Sequence, residues 1–192
     1  MSEELTNNNF LNSFLNKIKQ NKKKIFIAVF ITILVILFFY YLNYNNKKKH
    51  SLISENFNKA KNLLVKNEKE TSKEILTDII NKKNNFYSPM SLYVIIENNL
   101  INDQKEIIKL FDRVISIRNI DQEDLDLIKI KKAIYLFDNI TEDEILKILK
   151  PITNSNSAWK SNAIKLLIDY YKSKGENQKA QEFEKLLLNI NN

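Results

Sequence analysis

The most apolar stretch of the chain is residues 25–42, in which no position carries a charge and Thr32 is the only conventionally polar side chain. As a helix, this stretch would be about 27 Å long, close to the roughly 30 Å hydrocarbon core of a bilayer. The pattern therefore predicts a transmembrane helix at residues 25–42. The residues assigned to this anchor include Ile25, Ala28, Thr32, Leu37, Tyr40 and Leu42.

Positively charged residues flank the apolar run on both sides, and lysines in such positions contact anionic lipid headgroups. A buried helix of a soluble core is the alternative, but charged flanks at both ends favour the membrane. The run ends in aromatic residues and Asn43, which do not suit a signal-peptidase site, so we expect the anchor to remain uncleaved. The flanking lysines are Lys22, Lys23, Lys24, Lys47, Lys48 and Lys49.

The distribution of lysines also bears on orientation. Five lysines lie within eight residues before the run and three within eight residues after it, which favours a cytoplasmic N-terminus. Residues 1–24 would then be a cytoplasmic tail with a short amphipathic segment from Phe10 to Ile18, which either lies on the inner leaflet or belongs to a flexible tail. Residues 43–50 would form a polar linker, and residues 51–192 a domain on the opposite side of the membrane.

From residue 51 onward, apolar positions recur at helical spacing, and the scarcity of glycine and proline leaves little room for β-hairpins. We predict eight helices, at about 52–66, 71–81, 88–101, 103–115, 127–137, 141–151 and 157–174, with the last carrying Ala180 to Ile190. Thr141 and Glu144 match a capping box at the start of the sixth helix. Short connections pair these helices as four antiparallel hairpins, so the predicted fold class is all-α.

Composition excludes several classes of functional site. The chain has no cysteine, one histidine and one glycine, so it cannot assemble a thiol site, a catalytic triad, a histidine metal site or a glycine-rich phosphate loop. We therefore expect no enzyme activity, no cofactor, no metal and no small-molecule substrate.

The net charge of +7 is unevenly distributed along the chain. Residues 1–50 hold eight lysines and two glutamates, a balance of +6, whereas residues 51–192 hold 22 basic and 21 acidic residues, a balance of +1. The basic character belongs to the flanks of the apolar run, so we expect membrane lipid, and no nucleic acid, as its partner.

The last predicted hairpin has the pattern of a helical repeat. Tyr171 precedes Gly175 at the turn, and Ala180 follows where two helices approach closely. This stretch resembles the middle of a tetratricopeptide repeat. The domain is therefore predicted to be an α-solenoid of about four such hairpins, with a plain helical bundle as the alternative. The residues assigned to packing within the repeats are Ala60, Ser72, Ala133, Tyr171, Gly175, Ala180 and Phe183.

An apolar anchor followed by such hairpins resembles a known family over the whole chain. The chain is similar to the membrane-anchored tetratricopeptide-like family that includes the ancillary subunit of the bacterial SecYEG translocon, whose domain is shared with a cell-division coordinator. The stretches that carry the resemblance are residues 128–151, similar to the family's third hairpin, and residues 156–183.

This resemblance implies a protein of the bacterial inner membrane with a periplasmic repeat domain. It also implies a non-enzymatic role in protein export, with translocon subunits, exported proteins or periplasmic chaperones as partners. A tethering subunit of a cell-envelope or cell-division complex is the alternative function.

Stacked hairpins curve, and their first helices line a concave surface that suits a partner segment. Placing Gly175 at the turn position predicts a groove with an apolar middle and charged ends. Ordinary core packing is the alternative for each apolar member. The candidate groove residues, from the first hairpin to the last, are Lys61, Leu64, Leu92, Ile96, Ile130, Ile134, Lys165, Asp169 and Lys172.

Overall fold

The structure, a computed structural model, describes the backbone of residues 22–190, and the side chains of residues 22, 25, 28, 29 and 42–50 lie outside the description. Every regular element of this part of the chain is a helix, so the predicted all-α class is confirmed. The helices are α1 (Lys22–Val65), α2 (Lys69–Asn81), α3 (Tyr87–Glu97), α4 (Gln104–Ile115), α5 (Gln122–Leu136), α6 (Glu142–Thr153), α7 (Lys160–Ser173) and α8 (Asn177–Ile190).

Helix α1 contains the apolar run and continues beyond it. Residues 43–50, which we expected to form a polar linker, are helical, and their role as a linker stays a prediction. No glycine or proline interrupts residues 22–65, and lysine is a good helix former. Among the anchor residues and flanking lysines with described side chains, Thr32, Leu37, Tyr40, Lys23 and Lys24 are exposed.

Several predictions about the anchor fall outside the described side chains: those at Ile25, Ala28, Leu42, Lys22, Lys47, Lys48 and Lys49. The predicted amphipathic segment of residues 10–18 lies outside the described residues altogether. Within the part of the chain that the structure describes, no helix combines the length and the apolar character that crossing a bilayer requires. The transmembrane helix is therefore not confirmed and stays a prediction.

The chain divides into two units, Met1–Leu52 and Ile53–Asn192. In the second unit, side-chain caps mark where helices begin. The Asp103 carboxylate accepts a hydrogen bond from the backbone N–H of Lys105, and the Asp121 carboxylate accepts one from that of Glu123, each at 2.9 Å. At α6 the predicted capping box is confirmed, because Thr141 and Glu144 each bond the other's backbone N–H. These caps satisfy N–H groups that have no partner within the helix.

Helix ends rely on residues in the left-handed backbone region. Gly175 has φ +75°, and Asn67, Lys83 and Asn99 adopt φ of 63°, 53° and 49° at the ends of α1, α2 and α3. At Gly175 the N–H donates to the Lys172 carbonyl, and the next N–H reaches back to Tyr171, as in a Schellman motif. Asparagine tolerates this conformation better than most residues, so a chain with a single glycine can still end its helices sharply.

The helices of the second unit stack in chain order. From α2 to α8, each helix packs against the next, and α2 also contacts α4 while α5 contacts α7. Contacts between neighbours and next neighbours are compatible with a helical solenoid. The finer assignment to tetratricopeptide-like repeats stays a prediction.

The buried side chains of the second unit form two clusters that meet at α5. Ile128 belongs to the first, which extends back to Ile53 on α1 and includes Leu76 and Phe111. Two residues later, Ile130 belongs to the second, which continues to Ala180 on α8. Helix α5 therefore joins two partial cores.

Small residues lie where helices approach most closely. The Ser72 hydroxyl donates to the Ala60 carbonyl at 2.9 Å across the α1–α2 pair, and the Ser88 hydroxyl donates to the Ile79 carbonyl at 3.0 Å across α2–α3. All four of these residues are fully buried. A larger side chain at Ala60 or Ser72 would separate the two helices.

Candidate protein-binding groove

A groove of about 590 Å³ runs over the helix that joins the two partial cores. Helices α4 and α6 line its sides, and α5, which packs against both, lies between them. We call this surface the α4–α6 groove. Its lining residues are Gln104, Ile108, Asp112 and Ile115 from α4, Lys129, Lys132 and Leu136 from α5, Asn139 and Ile140 from the following loop, and Glu144, Lys147, Ile148 and Pro151 from α6.

Apolar side chains supply much of the lining. Ile108, Ile115, Leu136 and Ile148 are half-buried, and Pro151 is exposed. These residues come from all three helices, so each helix contributes apolar surface to the groove. Apolar surface gathered in a concave site is typical of binding sites for partner segments.

Most charged groups in the groove form ion pairs or hydrogen bonds with other residues of the domain. The Lys132 ammonium lies 2.5 Å from the Asp112 carboxylate and links α5 to α4. Lys129 lies 3.6 Å from Asp126, which is only 2% exposed and accepts a second bond from the Gln122 amide at 2.8 Å. These ion pairs fix the positions of charged side chains in the groove. Each of its two α5 lysines, Lys129 and Lys132, is therefore already paired with a carboxylate.

The carboxylate of Glu144 is held by the start of its own helix. It accepts bonds from the backbone N–H of Thr141 at 3.1 Å and from the Thr141 hydroxyl at 2.9 Å. These two bonds, the backbone one first, lower the pKa of Glu144, because they stabilise its charged form. Glu144 is therefore ionised near neutral pH, and its carboxylate is already used in the helix cap.

Lys147 differs from the other charged residues of the groove. It is exposed, and it forms no ion pair with any described residue, including Asp143 one turn earlier on α6. Lys150, also on α6, is likewise exposed and unpaired within the described range. A shallow depression of about 400 Å³ beside the groove is bordered by both lysines and by Asp143, which leaves a surplus of one positive charge there. This edge of α6 is thus locally cationic.

The residues that were predicted to line a concave surface differ in how far they are exposed to solvent. Leu92 and Ile130 are buried in the two clusters, so their assignment to an open groove was wrong. The alternative of core packing holds for them, because the faces of α3 and α5 that carry them point into the stack. Leu64 and Ile96 are half-buried and pack against the first cluster.

The other predicted groove residues are accessible. Ile134 on α5 is 56% exposed, a large fraction for an isoleucine. Lys61, Lys165, Asp169 and Lys172 are exposed, and Lys172 pairs with Glu184 at 2.6 Å, across the last hairpin. None of these residues lines the α4–α6 groove.

A half-buried contact links α3 to α5. The Lys131 ammonium sits 4.6 Å from the centre of the Tyr93 ring, a cation–π contact between the two helices. Burial, and secondarily the charge of Asp124, raises the pKa of Tyr93 to about 12. Tyr93 therefore stays neutral under physiological conditions and serves as a packing surface.

The residues predicted to pack the last hairpin do come together. Tyr171 and Ala180 are buried, the Tyr171 ring stacks on that of Phe183 with centroids 5.6 Å apart, and Gly175 forms the turn between them. Ala133 is fully buried in the same cluster. The small and aromatic residues of this hairpin thus belong to its core.

A polar network missed by sequence reasoning closes the last hairpin onto α6. Glu142 accepts bonds from the Tyr171 hydroxyl at 3.0 Å and from the Lys179 ammonium at 2.6 Å, and Lys179 also pairs with Glu176 at 2.8 Å. The bond from Lys179, followed by that from Tyr171, lowers the pKa of Glu142. The bond to Glu142, followed by that to Glu176, raises the pKa of Lys179.

Sequence reasoning also missed the α4–α6 groove, because it looked for a site on the first helix of each hairpin. One signal was available. Ile108 lies on α4 beside its buried stripe of Ile107, Phe111 and Val114 and is only half-buried, so α4 presents an apolar side chain outside that stripe. The described residues contain no group of three or more His, Cys, Asp or Glu side chains placed to hold a metal ion.

The chain was compared with protein-family models, with curated proteins and with solved structures, and none of them matches it.

Proposed function

We propose that this chain is a non-enzymatic, membrane-tethered scaffold that binds other proteins through a domain of stacked helical hairpins. Residues 25–42 would anchor it in the bacterial inner membrane, with the N-terminus in the cytoplasm and the domain in the periplasm. There it would act as an accessory factor of the protein-export machinery, in contact with translocon subunits, exported proteins or periplasmic chaperones.

The observation that carries the proposal is the apolar surface of α1. Large apolar and aromatic side chains are exposed on every side of this helix between Phe26 and Tyr41, with Phe26 itself 74% exposed. A helix that is apolar all round is stable only inside a protein core or a lipid phase. The charge-free length of the run and its flanking lysines favour lipid.

The domain supports a binding role in place of a catalytic one. Its hydrogen-bonded polar groups are used for caps and links between helices, as at Glu144 and Glu142. Its accessible apolar surface includes the α4–α6 groove and Ile134, where it is available to a partner. The connection to export rests on the resemblance of the chain to the translocon-associated family.

A topology experiment tests the anchor. Fusing alkaline phosphatase after Asn192 should give an active periplasmic reporter in membrane fractions, whereas a fluorescent reporter that requires the cytoplasm should stay dark. The opposite pattern would overturn the export role. Recovery of the fusion from the soluble fraction after carbonate washing would overturn the membrane anchor.

Crosslinking tests the partners. A photo-reactive amino acid at exposed Ile134 should crosslink to translocon subunits or to precursors in transit. Crosslinks to cell-wall enzymes at midcell would instead support a tethering role in the envelope, and the absence of any crosslinked protein would contradict a scaffold. A matched probe at exposed Lys185 on α8 reports random collisions.

Substitution at the same surface provides a further test. Ile134→Asp should reduce crosslinking from neighbouring exposed positions and leave the circular dichroism spectrum helical, because Ile134 contributes little to the core. Ile96→Asp should instead lower the melting temperature, since Ile96 is half-buried against the first cluster. Equal stability of the two variants would contradict the burial described here.

A further inference from the structure

We infer that the α4–α6 groove binds a short amphipathic helical segment of a partner protein, with the apolar side of that segment in the groove and its acidic side along Lys147. This inference rests on the proposed function and specifies the chemistry of the partner. It places the binding site on α4, α5 and α6, and none of the residues predicted for the concave surface lines it.

The dimensions of the groove favour a helical segment. Its α4 side runs from Gln104 to Ile115, a length of roughly 17 Å at the helical rise per residue. This length matches about three turns of a partner helix, which would present apolar residues at positions i, i+4 and i+7. On the α4 side the apolar contacts are Ile108 and Ile115, seven residues apart, and Ile148 and Pro151 face them from α6.

The polar groups of the groove argue against a small polar ligand. The Lys132–Asp112 pair, the Lys129–Asp126 pair and the Thr141–Glu144 cap already use most of the charged atoms near the lining. A polar ligand would have to displace these internal bonds. An apolar helix face needs only the isoleucine, leucine and proline side chains of the groove, which it would remove from water.

Charge complementarity selects an acidic partner. Once the internal pairs are formed, Lys147 is the lining charge without a carboxylate or a cap among the described residues, and Lys150 extends the same cationic edge. Lys147 and Lys150 are three residues apart on α6, so they match two carboxylates spaced by one turn on a partner helix. A basic helix would meet these two ammonium groups against the single carboxylate of Asp143 and be disfavoured.

Peptide binding to the full-length chain tests this inference. Fluorescence anisotropy in the neutral detergent dodecyl maltoside would compare two labelled 15-residue amphipathic peptides. Both carry leucines at i, i+4 and i+7, and one has glutamates and the other lysines beside that face. We expect the acidic peptide to bind and the basic peptide to bind at least about fivefold more weakly.

A charge reversal provides the decisive variant. Lys147→Glu should weaken binding of the acidic peptide about fivefold and strengthen binding of the basic one, while Lys165→Glu on α7, outside the groove, should change neither. Lys147→Gln, which removes the charge without reversing it, should fall between the native chain and Lys147→Glu. Circular dichroism should show the same helical content in all variants, because these lysines are exposed.

Three outcomes would overturn the inference. The first is equal affinity of the native chain for both peptides, and the second is an acidic preference that survives Lys147→Glu. The third is displacement of the acidic peptide by short-chain phosphatidylglycerol but not by excess unlabelled peptide. That result would mean that Lys147 and Lys150 bind lipid headgroups. In each case, crosslinking from Ile134 in cells would still test whether the chain contacts partner proteins. A failure of the proposed groove can therefore be distinguished from a failure of the proposed scaffold role.

Discussion

Ser91 on α3 is fully buried, and its hydroxyl is without a hydrogen-bond partner in the described structure. A buried hydroxyl that lacks a partner loses its bonds to water and gains none in return. We therefore predict that Ser91→Ala raises the free energy of unfolding by about 1 kcal/mol, measured by urea denaturation of the full chain.

Ser72 is the matched control for this prediction. It is equally buried, but its hydroxyl donates to the Ala60 carbonyl at 2.9 Å. Ser72→Ala should therefore lower the free energy of unfolding by about 1 kcal/mol. Two alanine variants that shift stability in the same direction would show that packing, and not hydrogen bonding, determines the effect at these two positions.

The turn at Gly175 gives a second prediction at this scale. The residue has φ +75°, and a Cβ added there would meet no atom within 4 Å. The cost of Gly175→Ala is therefore the cost of the left-handed backbone alone, about 1 kcal/mol of unfolding free energy. Gly175→Asn should cost less, because asparagine already fills this role at Asn67 and Asn99. Thermal unfolding that ranks alanine above asparagine would refute this account.

Single residues were predictable where their chemistry is distinctive. Gly175 is the only glycine, and Ala60 stands out in a chain rich in lysine and asparagine, so both could be assigned from the sequence. The left-handed role of Asn67 and Asn99 could not, because the chain contains many other asparagines. The state of the Ser91 hydroxyl depends on its surroundings, which only the packed structure supplies.

At the scale of elements, the sequence located the helices of the second unit well. The predicted ranges 71–81 and 103–115 differ from α2 and α4 by no more than two residues at either end. Apolar periodicity determines where a helix lies, and caps such as Asp103 determine where it begins. For residues 43–50 the polar composition suggested a linker and no helical pattern, but no helix-breaking residue is present and the backbone is helical.

The link between α6 and α8 leads to a prediction about pH. The pKa of Glu142 is lowered in the folded state from an ordinary value of 4.5, first by the bond from Lys179. A carboxyl with a lowered folded pKa contributes stability above its ordinary pKa, and this contribution is lost as the pH falls through the folded pKa. We therefore expect the stability from this link to be present at neutral pH and absent in strong acid.

Glu142→Gln tests this expectation. The variant should melt at a lower temperature than the native chain at neutral pH, and the difference should shrink as the pH is lowered below 4.5. Glu182→Gln, at an exposed position of α8, should show no such narrowing. A melting difference that stays constant with pH would mean that the Glu142 charge does not stabilise the hairpin.

At the scale of the whole domain, the sequence predicted a stack of hairpins but not its binding surface. A repeat pattern places residues such as Leu92 and Ile130 on a helix, whereas the rotation of that helix in the stack decides whether they face solvent or core. The α4–α6 groove depends on three helices from two hairpins, together with the junction of two partial cores at α5. No local pattern encodes such a combination.

The division of the core into two clusters predicts which helices are destabilised when a buried side chain is truncated. In stacked architectures, stability is approximately a sum over repeats and their interfaces, so a cavity weakens its own part of the stack first. Leu76 and Leu149 are matched probes, because both are fully buried leucines, one in each cluster. Replacing either by alanine should cost about 2–5 kcal/mol locally.

Hydrogen exchange would distinguish local from global loss. Leu149→Ala should accelerate amide exchange in α6, α7 and α8 and leave α2 and α3 protected, whereas Leu76→Ala should do the reverse. Helix α5 should respond to both substitutions, because Ile128 and Ile130 belong to different clusters. Uniform acceleration from α2 to α8 in both variants would instead show that the two clusters unfold as one cooperative unit. The α4–α6 groove would then lie over a continuous core, because α5 would no longer be the boundary between two separately stable halves.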